Sequence, residues 1–214
     1  MSETTSASNA HLILPDSPLA RSILDLVNGA VPRAIANHSI RSYLFSRMVA
    51  DHRALVPGQD YDADLLFYAT VLHDIGLTDE AARRDQRFEL DGADVAAAFL
   101  TDHGIPSEDI DVVWEAIALH SSAGIAQRRG IICSLTEAGI GLDFGIGSDF
   151  VTDADAAAIH TAFPRYAAAS SLVDMIVRQA VVNPAKAPST SLADYFLRTV
   201  HGHTGPLTPS RWGD

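Results

Sequence analysis

The stretch DADLLFYATVLHDIGLTDE, residues 62–80, decides how the rest of the chain is read. From Asp62 to Ile75 it predicts a helix, acidic at its start where the macrodipole favours negative charge, and Gly76 stops it. Apolar residues occupy nearly every side of this segment, so it is expected to be a buried central helix rather than one with a wet face. A helix of that kind needs other helices around it. At its end a histidine and a carboxylate stand side by side, His73 and Asp74. Consecutive helical residues point about 100° apart, so these two can share one ion only near a helix end, where geometry relaxes.

Upstream, SPLARSILDLVNGA predicts a helix capped by Ser17 and begun by Pro18, with Leu19, Ile23, Leu26 and Val27 at helical spacing. A second amphipathic helix runs from about Arg33 to Leu55, is ended by Pro57-Gly58, and carries His38 and Arg41 on one face. Downstream, the charged stretch DEAARRDQRFELDG (79–92) is expected as a loop. Asp91, just before Gly92, is read as the N-cap of a helix over 91–103 that Gly104 closes. Further helices are predicted over 106–120, 127–140, 153–163, 164–182 and 191–200. The glycines of GIGLDFGIG (139–147) suggest a tight, irregular path around Asp143. Period-two alternation is almost absent. The expected architecture is therefore all-α: a single helical domain over 16–200 with a central metal site, a disordered polar tail over 1–15, and a C-terminal tail over 201–214.

Composition narrows the function. The 214 residues, 47% hydrophobic and 20% charged, suit one soluble globular domain. A net charge of -12 argues against nucleic acid or an anionic membrane as partner. No apolar run approaches the roughly 18–20 residues that span a bilayer. The start, MSETTSASNAH, lacks the basic and apolar regions of a secretory signal. A single cysteine, Cys133, sits among apolar neighbours and reads as a packing residue in a reducing compartment. The expectation is a cytoplasmic protein acting on a small molecule, with self-association left open.

The chemistry is expected where histidines and carboxylates meet. His38 lies in ANHSIRSYLF, the His73-Asp74 pair closes the central helix, and His120 ends WEAIALHSS. Imidazole and carboxylate are the ligands that zinc, iron and manganese take, and bound metal can make water nucleophilic near neutral pH. Two neutral nitrogens with the carboxylates of Asp74 and Asp143 would bring a divalent ion near zero net charge. His120 is then a further ligand or an acid-base group. His103 is expected to cap a helix end. His52 is read in an exposed charged turn and His160 in an alanine-rich helix. They and His11, His201 and His203 are assigned no chemistry.

These residues resemble the HD-domain superfamily, and within it the cyanamide hydratase-like proteins. The stretches that carry the likeness are HSIRSYLF (38–45), LHDIGLT (72–78), RFELDGADVAAAFL (87–100), VWEAIALHSSAGIA (113–126) and GLDFGIG (141–147). The resemblance implies one zinc held by His38, His73, Asp74 and Asp143, and a hydro-lyase activity in which metal-activated hydroxide adds to a small nitrile; cyanamide gives urea. His120 is the candidate proton donor, with Arg41, Arg87 and Glu89 as orienting groups. The extra histidine of two-metal relatives is missing from 87–100. That favours one metal, although Glu89 or Asp91 could hold a second. Arg87 and Glu89 read equally well as an internal ion pair. Phe88 and Trp114 are candidate pocket walls, with core packing favoured for Trp114. One alternative is phosphohydrolysis of a nucleotide or other phosphomonoester gripped by Arg83, Arg84 and Arg87. Another is a non-enzymatic binding module stabilised by metal.

Overall fold

The computed structural model describes residues 12–201. Residues 1–11 and 202–214, which include His11, His203 and most of both expected tails, lie outside the described residues. Within them are nine α-helices and no β-strand: α1 Pro18–Ala30, α2 Arg33–His52, α3 Ala63–Leu72, α4 Phe88–Asp102, α5 Ser107–Leu119, α6 Ile131–Asp143, α7 Asp153–Ala162, α8 Ala168–Val182 and α9 Leu192–His201. The all-α expectation is met.

Helix α3 is central because its sequence offers no polar face. Every residue from Leu65 to Leu72 is buried, and the helix packs against α1, α2, α5 and α6. The Asp62 carboxylate caps it, accepting from the backbone N–H groups of Asp64 at 2.8 Å and Leu65 at 3.0 Å. Ser17 does the same for α1, accepting from Ala20 N–H at 3.1 Å. α2 lies along α6 in the most extensive helix pairing of the molecule.

That pairing depends on Gly139. A Cβ at this position would fall 2.6 Å from the Ser46 Cβ and 2.7 Å from its backbone nitrogen, so only glycine lets the two backbones approach so closely. Of the glycine-rich run 139–147, residues 139–143 are the end of a helix, and the tight path expected of its glycines begins only beyond Asp143, at Gly145 (φ 85°) and Gly147 (φ 69°). α6 starts at Ile131 rather than 127 and continues through Gly139 and Gly141 to Asp143. Close packing outweighs the glycines' weak helix propensity. A second close approach joins Gly76 to Gly92, where a Cβ on Gly92 would sit 2.9 Å from the Gly76 nitrogen. It seats the start of α4 against the turn that carries His73 and Asp74.

The structure revises three further boundaries. α4 begins at Phe88, and Asp91 is not its N-cap but a buried first-turn residue paired with the Lys186 ammonium. Lys186 also donates to the carbonyls of Ala81 at 3.0 Å and Gln86 at 3.2 Å, tying the charged 79–87 segment to the helix. No local pattern could reveal a partner so far away in the chain. α8 begins at Ala168, because Tyr166 (φ 47°) and Ala167 (φ 58°) take left-handed conformations that cost non-glycine residues energy. α2 ends at His52, so this residue is helical; it is exposed and stacks on Phe150 with ring centroids 4.1 Å apart. His103 follows α4 and donates from Nδ1 to the Phe99 carbonyl at 2.8 Å, the helix-end role expected of it.

Candidate metal centre

Two helix ends and one helix interior aim imidazole and carboxylate groups at a common point. His38 projects from α2, His73 and Asp74 from the turn after α3, and His120 from the end of α5. All four are buried. Ligand atoms of His38, His73 and Asp74 lie within 4.8 Å of one another. Asp74 Oδ2 is 3.1 Å from His73 Nε2 and 3.8 Å from His38 Nε2. Asp74 Oδ1 is 3.9 Å from His120 Nε2.

The outer edge of each ring fixes what its inner edge can do. Nδ1 of His73 faces the Thr70 carbonyl at 2.7 Å, and Nδ1 of His120 faces the Ile117 carbonyl at 2.7 Å. Nδ1 of His38 faces Asp143 Oδ2 at 2.7 Å. Carbonyls and carboxylates only accept, so each Nδ1 carries the hydrogen and each neutral ring turns the lone pair of Nε2 inward. Three lone pairs and a carboxylate thus converge with no hydrogen among them to share. His38 Nε2 and Asp74 Oδ2 are buried without any hydrogen-bond partner. Buried polar atoms are rarely left so, and a divalent cation is the partner this donor set fits.

The electrostatics agree. Burial opposes charge on His73, but the Asp74 carboxylate prevails and raises its pKa, so a proton there would take the cation's place. Burial lowers His38 despite its bond to Asp143. Burial and repulsion from His73 push His120 down to about 4. Burial would raise Asp74, yet the surrounding imidazoles hold its carboxyl well below the usual range.

Asp143, expected as a fourth ligand, sits on the far edge of the His38 ring from Nε2. Arg41 grips both its oxygens, Nε to Oδ1 and Nη2 to Oδ2 at 2.7 Å each, in the fork geometry only arginine offers. Burial favours its neutral form, but the bonds from His38 and Arg41 drive the pKa well below the carboxylate range. Arg41 is wholly buried, and its Nη1 donates to the Phe163 carbonyl at 3.1 Å. Arg165, which carries no expectation from sequence, donates from Nη1 to the Asp143 backbone carbonyl at 2.8 Å and to Oδ1 at 3.1 Å. His160, expected to have no role, brings Nε2 to 3.9 Å from Asp143 Oδ1. The left-handed turn at Tyr166 and Ala167 is thus held down by the same carboxylate that orients His38.

Glu89 and Arg87 form the internal ion pair, at 2.7 Å. Glu89 is fully buried and accepts from the Ser121 hydroxyl at 2.5 Å. Burial would raise its pKa, but Arg87 and the neighbouring His120 and Ser121 hold it low. Asp91 and Glu89 are thus bound to Lys186 and Arg87, and among the described residues His38, His73 and Asp74 form the one group suited to a metal. Cys133 is buried, and its thiol is pushed up to about 11, which leaves it an unreactive packing residue.

The four inward groups floor a cavity of about 450 Å³. Phe88 lines it; Trp114 does not, and donates instead to Asp94 at 2.8 Å. Among the described residues no lysine or arginine lines it, so Arg41, Arg83, Arg84 and Arg87 all stand outside its wall. Ser121, beside His120 and unassigned from sequence, does line it. A cavity of similar size, about 470 Å³, opens beside Tyr61 and the start of α6 and contains none of these groups.

Two comparisons bear on this centre. A family model described as HD domain matches residues 35–180, more than half of the chain. Cyanamide hydratase DDI2 and cyanamide hydratase DDI3 of Saccharomyces cerevisiae are each 29% identical to it over 157 residues, covering 71% of this chain and 68% of theirs. No helix among the described residues is long and apolar enough to cross a membrane.

Proposed function

The chain belongs to the HD-domain family, and from that premise we propose that it hydrates a nitrile, as a hydro-lyase, with one divalent metal held by His38, His73 and Asp74. The observation that carries this is the convergence of inward lone pairs on an orphaned carboxylate at the floor of a cavity lined by no lysine or arginine among the described residues. The likeness to cyanamide hydratases points the same way. Zinc suits two nitrogens and a carboxylate with an open position. A bound metal would supply Lewis acidity and acidify a water molecule beside it.

The chain's own residues move the proton. With Nδ1 committed to the Ile117 carbonyl, His120 must accept a proton at Nε2 before it can donate one. It takes that proton from the water whose oxygen bonds to the nitrile carbon, while one π pair shifts to nitrogen. It then returns the proton to that nitrogen, giving an imidic acid that tautomerises to the amide; cyanamide would give urea. The negative charge of Glu89 favours the charged ring between these steps. Asp143 orients His38 through Nδ1 and leaves Nε2 to the metal, a carboxylate–histidine arrangement common around bound metals. Arg41 and Arg87 act behind Asp143 and Glu89 rather than on substrate.

Phosphomonoester hydrolysis fits less well. Beside the metal, a phosphate dianion in this cavity would find no lysine or arginine to grip it and would meet the half-buried Glu137. The test is release of urea from cyanamide by zinc-loaded protein, with a nucleotide monophosphate assayed in parallel. His120→Ala is expected to lose roughly 100-fold or more in turnover while keeping its metal. Phosphate release without urea would overturn the reading, and full activity in His120→Ala would remove the histidine's role.

A further inference from the structure

The cavity above the metal centre is much larger than cyanamide and walled largely by carbon, and we infer that the substrate's nitrile is carried on an apolar body such as an aryl or branched alkyl group. This deepens the nitrile-hydration reading and rests on it. Three heavy atoms occupy on the order of 100 Å³, judged from the share of volume one water takes in the liquid. About 450 Å³ is available, a size typical of sites that enclose whole drug-sized ligands. The walls come from Phe88 at the start of α4, Ile140 in α6, Phe144 just beyond it, Leu172 and Val173 in α8, and Phe196 in α9.

The polar groups are segregated. His38, His73, Asp74 and His120 cluster at the floor with Ser121 beside them, and the one other charged lining residue is Glu137. A small, doubly polar molecule would leave most of this volume to water or empty, and its amine would find carbon on the remaining sides. A nitrile at the floor with an apolar group above it satisfies both halves of the cavity. Glu137 adds a repulsive element against anionic bodies. The mouth is apolar as well, since Phe144 is 38% exposed and Ile146, also lining, is 72% exposed.

Leu192 and Phe196 belong to α9, beyond residues 35–180 that the family model matches, while the other apolar walls lie within that range. Phe196 is the largest side chain that α9 contributes to the lining, and it is expected to share in selecting the body.

The test compares cyanamide with phenylacetonitrile on zinc-loaded protein, and separately measures binding of their products, urea and phenylacetamide, by calorimetry. The expected result is a kcat/KM at least about tenfold higher for phenylacetonitrile, since even one buried methylene discriminates by roughly 10-fold or more, and tighter binding of phenylacetamide than of urea. Phe196→Ala should shrink both ratios. Equal or higher kcat/KM for cyanamide, with no preference for phenylacetamide, overturns the inference and leaves nitrile hydration standing. Phenylacetamide binding that depends on Phe196, with neither nitrile turned over, supports the apolar subsite and overturns the hydration reading instead.

Discussion

His73→Ala is expected to leave the protein folded but unable to retain metal through dialysis, with nitrile hydration reduced to background. The ring supplies one of the two inward nitrogens of the His38–His73–Asp74 group, and its Nε2 is 3.1 Å from Asp74 Oδ2. Losing a partner that merely orients a ligand weakens metal binding by roughly 10- to 100-fold; losing the ligand itself should cost more. Asp74→Asn should match it by a different route, keeping the shape and removing the charge that draws a cation to buried imidazoles. Elemental analysis after dialysis, read beside the rate, checks both. Full metal occupancy in either variant would show that the ion, if any, is held elsewhere.

Arg41→Ala is expected to have the largest effect on stability. The guanidinium is fully buried and is the bidentate partner of a carboxylate that is itself buried. Removing one member of such a buried pair costs about 3–5 kcal/mol, and although Arg165 and His38 still reach Asp143, neither replaces the two-pronged guanidinium. In a protein of this size that corresponds to a fall of roughly 6–20 °C in melting temperature. Arg41→Lys should rescue little, because one ammonium cannot serve two carboxylate oxygens and the Phe163 carbonyl together. Freed of its fork, Asp143 also loses its hold on His38, so metal affinity should drop in the same variants. The pH dependence has a definite sign. The Asp143 carboxyl is depressed in the folded state, so the stability it contributes is present above its unfolded pKa, about 4, and is lost as pH falls below that. A melting temperature for Arg41→Ala within 2 °C of wild type, a loss of no more than about 1 kcal/mol, would contradict this role.

Much of this was legible in the chain because it is local. An all-apolar helix ending in His73-Asp74 announces both its burial and its function within one stretch, and α3 is indeed the central helix. His38 and His120 were visible as histidines at suitable positions on helices. The unseen parts are those set by distant partners. Asp143 looks like any acidic ligand until Arg41 is found on both its oxygens. Asp91 looks like a cap until Lys186 takes it. Gly139 falls inside a predicted helix, and only α2 pressed against it shows why the residue there is glycine. Ser121 could have been flagged by its place next to His120. Arg165 stands in PRYA (164–167), where the family likeness continues only weakly and points to no partner, and Phe196 stands near no motif.

The most direct measurement is the metal content of the wild-type protein, purified without added metal and set against its dialysis buffer, together with the melting temperature after chelation and after zinc is restored. The expected result is close to one divalent ion per chain, a lower melting temperature on chelation, and its recovery with one equivalent of zinc. Protein that carries no metal above the buffer, and whose melting temperature ignores both chelator and zinc, would contradict the assignment of His38, His73 and Asp74 as a metal centre.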